Sequence, residues 1–258
     1  MPAERNHPIF REPNDPNIKI WRYMDFTKFV SLLECRSLFF ARADVFEDRF
    51  EGSLSSTTFA WRAALWEGLL VDQEELEKLS RAREQLRKQI FVNCWHMNAR
   101  ESAAMWKLYA RSNEAVAIQS TYQLLHSCLP ANTYVGEVQY IDYETDYLAE
   151  DHLFRPYMHK RISFEHEREL RAMIYIRSDD PNDYLRNHIA VNDVEARVGE
   201  PVGDVGRAVC VNLDELIERV YVAPTSPAWF NDLVLKIMNK YELKKLLINS
   251  ALDAKPMF

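Results

Sequence analysis

Apolar and polar positions change rhythm several times along the chain, and each change marks a predicted element. Ile20-Trp21-Arg22-Tyr23-Met24 reads as a short strand. Asp25 is placed to cap a helix over 26–34, where Phe26, Phe29, Val30, Leu32 and Leu33 fall near helical spacing. Residues 37–41 predict a second strand, and an acidic turn follows over 42–53. From 54 to 90 the pattern is helical. Ala60, Trp61, Ala64, Leu65, Leu69 and Leu70 make one apolar stripe, while 73–88 is charged enough to be a solvated helix. Strands are predicted over 91–95, 116–119, 135–143, 170–176, 209–211 and 220–222. Helices are predicted over 102–109, after Ser120-Thr121, and over 145–164, 214–217 and 228–240, the last opened by Ser226-Pro227. The stretch 184–205 is polar and turn-rich.

Strands and helices mix irregularly, without the steady alternation of a doubly wound sheet. The expected fold is therefore α+β: one domain over 20–250, with mixed, mostly antiparallel short strands and a helical insertion at about 54–90. Residues 1–19 are polar and hold four prolines, and they read as an extended N-terminal arm.

Composition narrows the chemistry. Apolar residues make up 47% of 258, enough for a real core. Glycine occurs only six times, and neither G-x-G-x-x-G nor G-x-x-x-x-G-K-[ST] is present, which disfavours a glycine-rich phosphate cradle. The net charge of −7 argues against non-specific nucleic-acid binding, which draws on a basic surplus. Cys35, Cys94, Cys128 and Cys210 are scattered, so free buried thiols in a reducing compartment are expected. Cys94 and His96 lack a second pair at metal spacing, and no metal site is expected. With no signal peptide and no run of 18 apolar residues, the expected location is cytoplasmic, with no membrane partner.

Four segments concentrate residues able to do chemistry. Arg22, in an apolar strand beside Tyr23, needs a partner for its guanidinium: a phosphate or carboxylate ligand, or a structural acid. Asp44, Asp48 and Glu51 in the acidic turn can gather a divalent cation, hold Arg22, or cap the following helix. Trp95, Trp106 and Tyr109 offer rings for stacking, with His96 just past a predicted strand end; the plainer reading is an aromatic core layer. In Lys160 to Arg171, an extended run would put Glu165, Glu167, Glu169 and Arg171 on one face, where crowded carboxylates repel and raise a pKa. A helix there would make Glu167 and Arg171 an ordinary i,i+4 pair.

These motifs, Trp21-Arg22-Tyr23, Leu38-Phe39-Phe40-Ala41, Glu47-Asp48-Arg49-Phe50-Glu51, Cys94-Trp95, Met105-Trp106, Phe164 to Arg171 and Val220-Tyr221-Val222-Ala223-Pro224, resemble a bacterial family. It is catalogued as domain of unknown function 2971, and the likeness spans roughly residues 20–240. The layout also resembles that of ADP-ribosyltransferases. That resemblance implies NAD or a related nucleotide as substrate, with no certain cofactor. Arg22 would grip the nucleotide, Glu169 would be the catalytic carboxylate, and Glu167 would orient the acceptor. Tyr23, Trp95, His96, Trp106 and Arg171 would complete the substrate site. The Ser-Thr-Ser element of those enzymes has only Ser120-Thr121 as a counterpart. The alternatives are a non-catalytic nucleotide-binding module and a Mg-dependent nuclease using Asp44, Asp48, Glu167 and Glu169.

Overall fold

The computed structural model describes residues 5–69, 73–110, 112–177, 200–202, 205–254 and 256. Strand β1 (Lys19–Asp25) leads into helix α1 (Phe26–Cys35). Arg36 stops that helix in the left-handed region, at φ 44°, and turns the chain into β2 (Ser37–Arg42). Helices α2 (Ser56–Leu69) and α3 (Gln73–Gln89) form the predicted helical insertion. The chain then enters β3 (Ile90–Met97), α4 (Ala103–Tyr109), β4 (Ala115–Thr121) and α5 (Tyr122–Cys128). This is the expected α+β layout, with a mostly antiparallel sheet.

One sheet organises the molecule, and β3 is its junction. β8 (Glu169–Tyr175) runs antiparallel along one edge of β3, from Ile90↔Tyr175 to His96↔Glu169, and β5 (Tyr134–Glu137) covers β8. The other edge of β3 is divided. Trp21↔His96 and Ile20↔Met97 join it to β1, while Ala41↔Val92 and Arg42↔Phe91 join it to β2. Between those contacts Asn93, Cys94 and Trp95 have no strand partner on that edge, so the sheet is split there. Beyond β1 lie β4, β11 (Arg219–Val222) and β12 (Leu246–Asn249); beyond β2 lie β10 (Gly206–Cys210) and β9 (Glu200–Val202).

Alternation along the strands decides what each face buries. On one face Ile20, Trp95, Leu170, Ala172 and Ile174 join the main apolar cluster. That cluster includes residues of α1, α5, α6 (Leu213–Leu216) and α7 (Ala228–Lys240). The other face carries two smaller clusters. One contains Val92, Met173, Tyr157 and Phe154, the other Trp21, Tyr23, Trp106 and Tyr221. His96, Cys94, Glu169 and Arg171 share this second face by register.

Several expectations change. Residues 135–143 do not form one strand. The ladder ends at Glu137, the Val138 N–H donates to the Glu169 carbonyl, and β6 (Gln139–Ile141) pairs in parallel with β7 (His159–Arg161) as a separate two-stranded sheet. The helix expected over 145–164 is replaced by short 3-10 turns at Arg155–Met158 and Ile162–Glu167 flanking β7. Pro156 supplies no backbone donor to a longer helix. The N-terminal arm is docked: Ile9 and Phe10 are buried, and Phe10 stacks on Tyr134 at 5.1 Å. Of the turn-rich stretch 184–205, most lies outside the described residues; 200–202 is β9. All four cysteines are free, but Cys35 and Cys210 are exposed rather than buried.

Candidate functional site

The charged group on the second sheet face is assembled from three parts of the chain. The 3-10 turn at Ile162–Glu167 ends at Arg168, which adopts φ 42° in the left-handed region, and the strand restarts at Glu169. This reversal turns Glu167 back beside Glu169 and leaves Glu165 exposed, so the four-residue face expected of a continuous strand does not form. β7 brings Lys160 under the pair, and the acidic turn supplies Glu51.

Lys160 Nζ donates to Glu167 Oε2 at 2.6 Å and to Glu169 Oε1 at 3.5 Å, and lies 3.5 Å from Glu51 Oε1. The Phe164 ring faces the same ammonium at 4.6 Å. Arg171 is buried on all sides, and its five N–H groups are taken up internally. Nε donates to Glu169 at 2.8 Å, Nη1 to Glu51 at 2.7 Å and to the Tyr157 carbonyl at 2.5 Å, and Nη2 to Glu51 at 2.8 Å with Glu169 Oε2 2.6 Å away. A saturated guanidinium has no donor left for a ligand. Its role is to carry charge and hold the two glutamates from sequence-distant segments in place.

The two neighbouring carboxyls respond in opposite directions. Burial pushes Glu169 up, but Arg171 and Lys160 outweigh it and hold its carboxyl well below the usual range. Burial and the adjacent Glu169 charge push Glu167 up, against the pull of Lys160, and the two side chains share a hydrogen bond. Lys160 and Arg171 face three carboxyls, Glu51, Glu167 and Glu169, and a raised Glu167 lessens that excess of negative charge.

Three side chains, His96, Cys94 and Tyr109, interact with this group, and Arg22 lies at the split in the sheet. His96 faces Glu169 across the ladder, and its Nδ1 meets the Glu167 carbonyl at 2.6 Å. Burial lowers its pKa, so the ring is neutral, with the proton on Nδ1. Its Nε2 is buried with no hydrogen-bond partner. Arg22 is half-buried and forms no ion pair among the described residues; its Nη2 donates once, at 3.2 Å, to the Phe39 carbonyl across the split. Burial lowers its pKa to about 10, with Cys94 the nearby group that raises it. Cys94 in turn is pushed up to about 12 by burial and then by Glu169. The Tyr109 ring is exposed, and burial followed by Glu167 and Glu169 raises its phenol.

The expected stacking rings divide differently. Trp95 is buried in the main cluster and donates to Asn93 Oδ1; Trp106 is buried on the opposite face and donates to Glu101. Tyr23 packs edge-on to Trp106 at 4.9 Å, and its oxygen accepts from the Ser102 N–H. These three are core residues, and Tyr109 is the ring left accessible. Asp44 pairs with Arg42 and Asp48 with Arg161, apart from the Glu167–Glu169 pair, so the four carboxylates do not gather as a metal set. Neither Asp holds Arg22. Sequence reasoning gave no site role to Lys160, nor to Tyr140, whose hydroxyl accepts from the Glu169 N–H. A lysine seven residues before Glu167 carries no local signal, because only the turn at Arg168 brings them together. No family model, no curated protein and no solved structure matches this chain.

Proposed function

We propose that this protein binds NAD or a related nucleotide at the split in the sheet and breaks its ribosyl–nicotinamide bond, as ADP-ribosyltransferases do. The observation that carries the reading is the Glu167–Glu169 pair, whose pKa values are driven apart. Such divergence assigns different tasks to two chemically identical groups. Glu169 stays ionised and stabilises the positive charge that develops at the ribose carbon as the C–N electron pair leaves with nicotinamide. Glu167, raised toward neutrality, takes the proton of the incoming acceptor when ionised. Arg22 holds a phosphate oxygen with its remaining donors, and His96 Nε2 accepts a hydroxyl proton from the sugar. Incubating the protein with NAD and measuring free nicotinamide tests this.

A second reading, a nucleotide-binding module without turnover, rests on a specific observation. Glu169 is only 5% exposed and already neutralised by Arg171 and Lys160. Saturable NAD binding without nicotinamide release would favour it. Absence of both binding and release would sink both readings.

A further inference from the structure

Tyr140 stands beside the carboxylate pair, and no step of the proposed function uses it. It lies in β6, opposite Lys160 of β7 in the parallel register, so the two side chains share one face of the small sheet. Both turn to Glu169. Lys160 does so through its ammonium, and Tyr140 through a hydroxyl oxygen that accepts the Glu169 N–H at 2.8 Å. Val138 donates its own N–H to the Glu169 carbonyl, but the Glu169 N–H goes to this phenol instead of a strand carbonyl. A phenol that accepts one bond still has its O–H to give, and among the described residues nothing takes it. Burial, opposed by the Glu169 N–H, raises the phenol pKa, and the Glu169 charge adds to the rise, so the hydroxyl keeps its proton. Tyr140 is half-buried, while Glu167, Glu169 and Lys160 are buried, so it is the most accessible of the four.

The cations at the pair are committed to acids. The Lys160 ammonium is turned to Glu167, Glu169 and Glu51, and the N–H groups of Arg171 are spent. The carboxylates and the Nε2 of His96 accept. A ligand group that gives a proton to one of these acceptors and takes one from Tyr140 does both through a single hydroxyl oxygen. We infer that Tyr140 is a substrate-binding residue whose O–H is given to a hydroxyl oxygen of the sugar engaged by the carboxylate pair. This rests on the NAD reading and specifies it: the hydroxyl belongs to the nicotinamide ribose, the sugar whose C–N bond is broken beside Glu169.

The test is a thermodynamic cycle between Tyr140 and that ribose. NAD and its analogues lacking the 2′- or the 3′-hydroxyl of the nicotinamide ribose are compared on the wild-type protein and on Tyr140→Phe. Affinity is read by calorimetry, and as KM where nicotinamide is released. Tyr140→Phe is expected to weaken NAD about three- to tenfold, the effect of one neutral hydrogen bond, and one of the deoxy analogues should bind the wild type more weakly by a similar factor. On Tyr140→Phe that analogue should bind as NAD does, because the contact is already gone. Tyr143→Phe is the control: its hydroxyl serves the same small sheet but is spent on the His159 carbonyl at 3.3 Å, so NAD affinity should hold. Unchanged NAD affinity in folded Tyr140→Phe, or losses that simply add, overturn the inference and leave the NAD reading in place. If Tyr140→Phe does not fold, undiminished binding of both analogues to the wild type overturns it. No binding of NAD to the wild type overturns both.

Discussion

Arg171 and Glu51 are 120 residues apart in the chain, yet two guanidinium nitrogens meet the two oxygens of that one carboxylate at 2.7 and 2.8 Å. The contact ties the acidic turn before α2 to the middle of the central sheet. It also frees the second side of the guanidinium to hold Glu169, so the position of the candidate catalytic carboxylate depends on a residue from a remote loop.

Removing one partner from such a buried set strands the other charge. Glu51→Gln is expected to lower stability by roughly 3–5 kcal/mol in urea denaturation. The exposed pair Arg155–Asp151 provides the contrast: Asp151→Asn there is expected to cost under about 1 kcal/mol. Equal costs at the two sites would show that the network does not hold the fold.

Glu169→Gln separates catalysis from structure. The amide keeps the shape but removes the negative charge, and under the proposed function turnover of NAD to nicotinamide is expected to fall about 10²–10³-fold. Melting should fall too, because Arg171 and Lys160 lose a counterion. Normal turnover in a folded mutant, whatever its melting point, would rule Glu169 out as the catalytic carboxylate.

Acid should weaken the fold before its carboxylates titrate. His96, His152 and His159 have folded pKa values lowered chiefly by burial. Each therefore contributes stability that is whole above the ordinary value of about 6.5 and is lost as pH falls through its folded value. Glu169, also depressed, loses its contribution at still lower pH. Glu167 opposes them: its raised value gives stability at low pH that is lost as pH rises through it. Three histidines against one glutamate predict a lower urea midpoint at pH 5.5 than at pH 7.5. The gap should narrow in His159→Asn, and a flat or reversed profile would contradict the burial of these rings.

Gly136 fixes the N-terminal arm. A Cβ there would stand 2.7 Å from the Phe10 Cα, a backbone atom that cannot step aside. The next residue, Glu137, donates its N–H to the Arg11 carbonyl at 2.8 Å. Gly136→Ala should loosen the arm at a cost of about 1–3 kcal/mol, seen as faster tryptic cleavage at Arg11. Unchanged cleavage would mean the arm is not seated against this strand.

Thiol labelling should follow environment. Cys35 and Cys210 are exposed, whereas Cys94 is held as a neutral thiol by burial and by Glu169. A maleimide at neutral pH is expected to modify Cys35 and Cys210 first and Cys94 last. Early reaction at Cys94 would contradict its being held as a neutral thiol.

The periodic segments were legible in the chain because their signal is local. The apolar rows of β1, β3 and β8 and the helical stretch that became α2 and α3 announce themselves within a few residues. Over 145–164 the sequence pointed to a helix, and tertiary packing produced two short turns and a strand. Charge alone singled out Arg22, Glu167, Glu169 and Arg171 as residues that need partners, since an ionised group in an apolar strand cannot stay unanswered.

Which partner each one met was decided only in three dimensions. A single left-handed residue, Arg168, sets Glu167 beside Glu169 instead of along one strand face. The pairing of β8 on β3, and the reach of the acidic turn across 120 residues, give Arg171 its acids. The split of β3 between β1 and β2 leaves Arg22 with one backbone carbonyl and, among the described residues, no acid. A sequence lists which charges must be compensated, because desolvation is a property of each residue in its own strand. Compensation acts over a few ångströms between segments far apart in the chain, and only the folded sheet brings those distances into being.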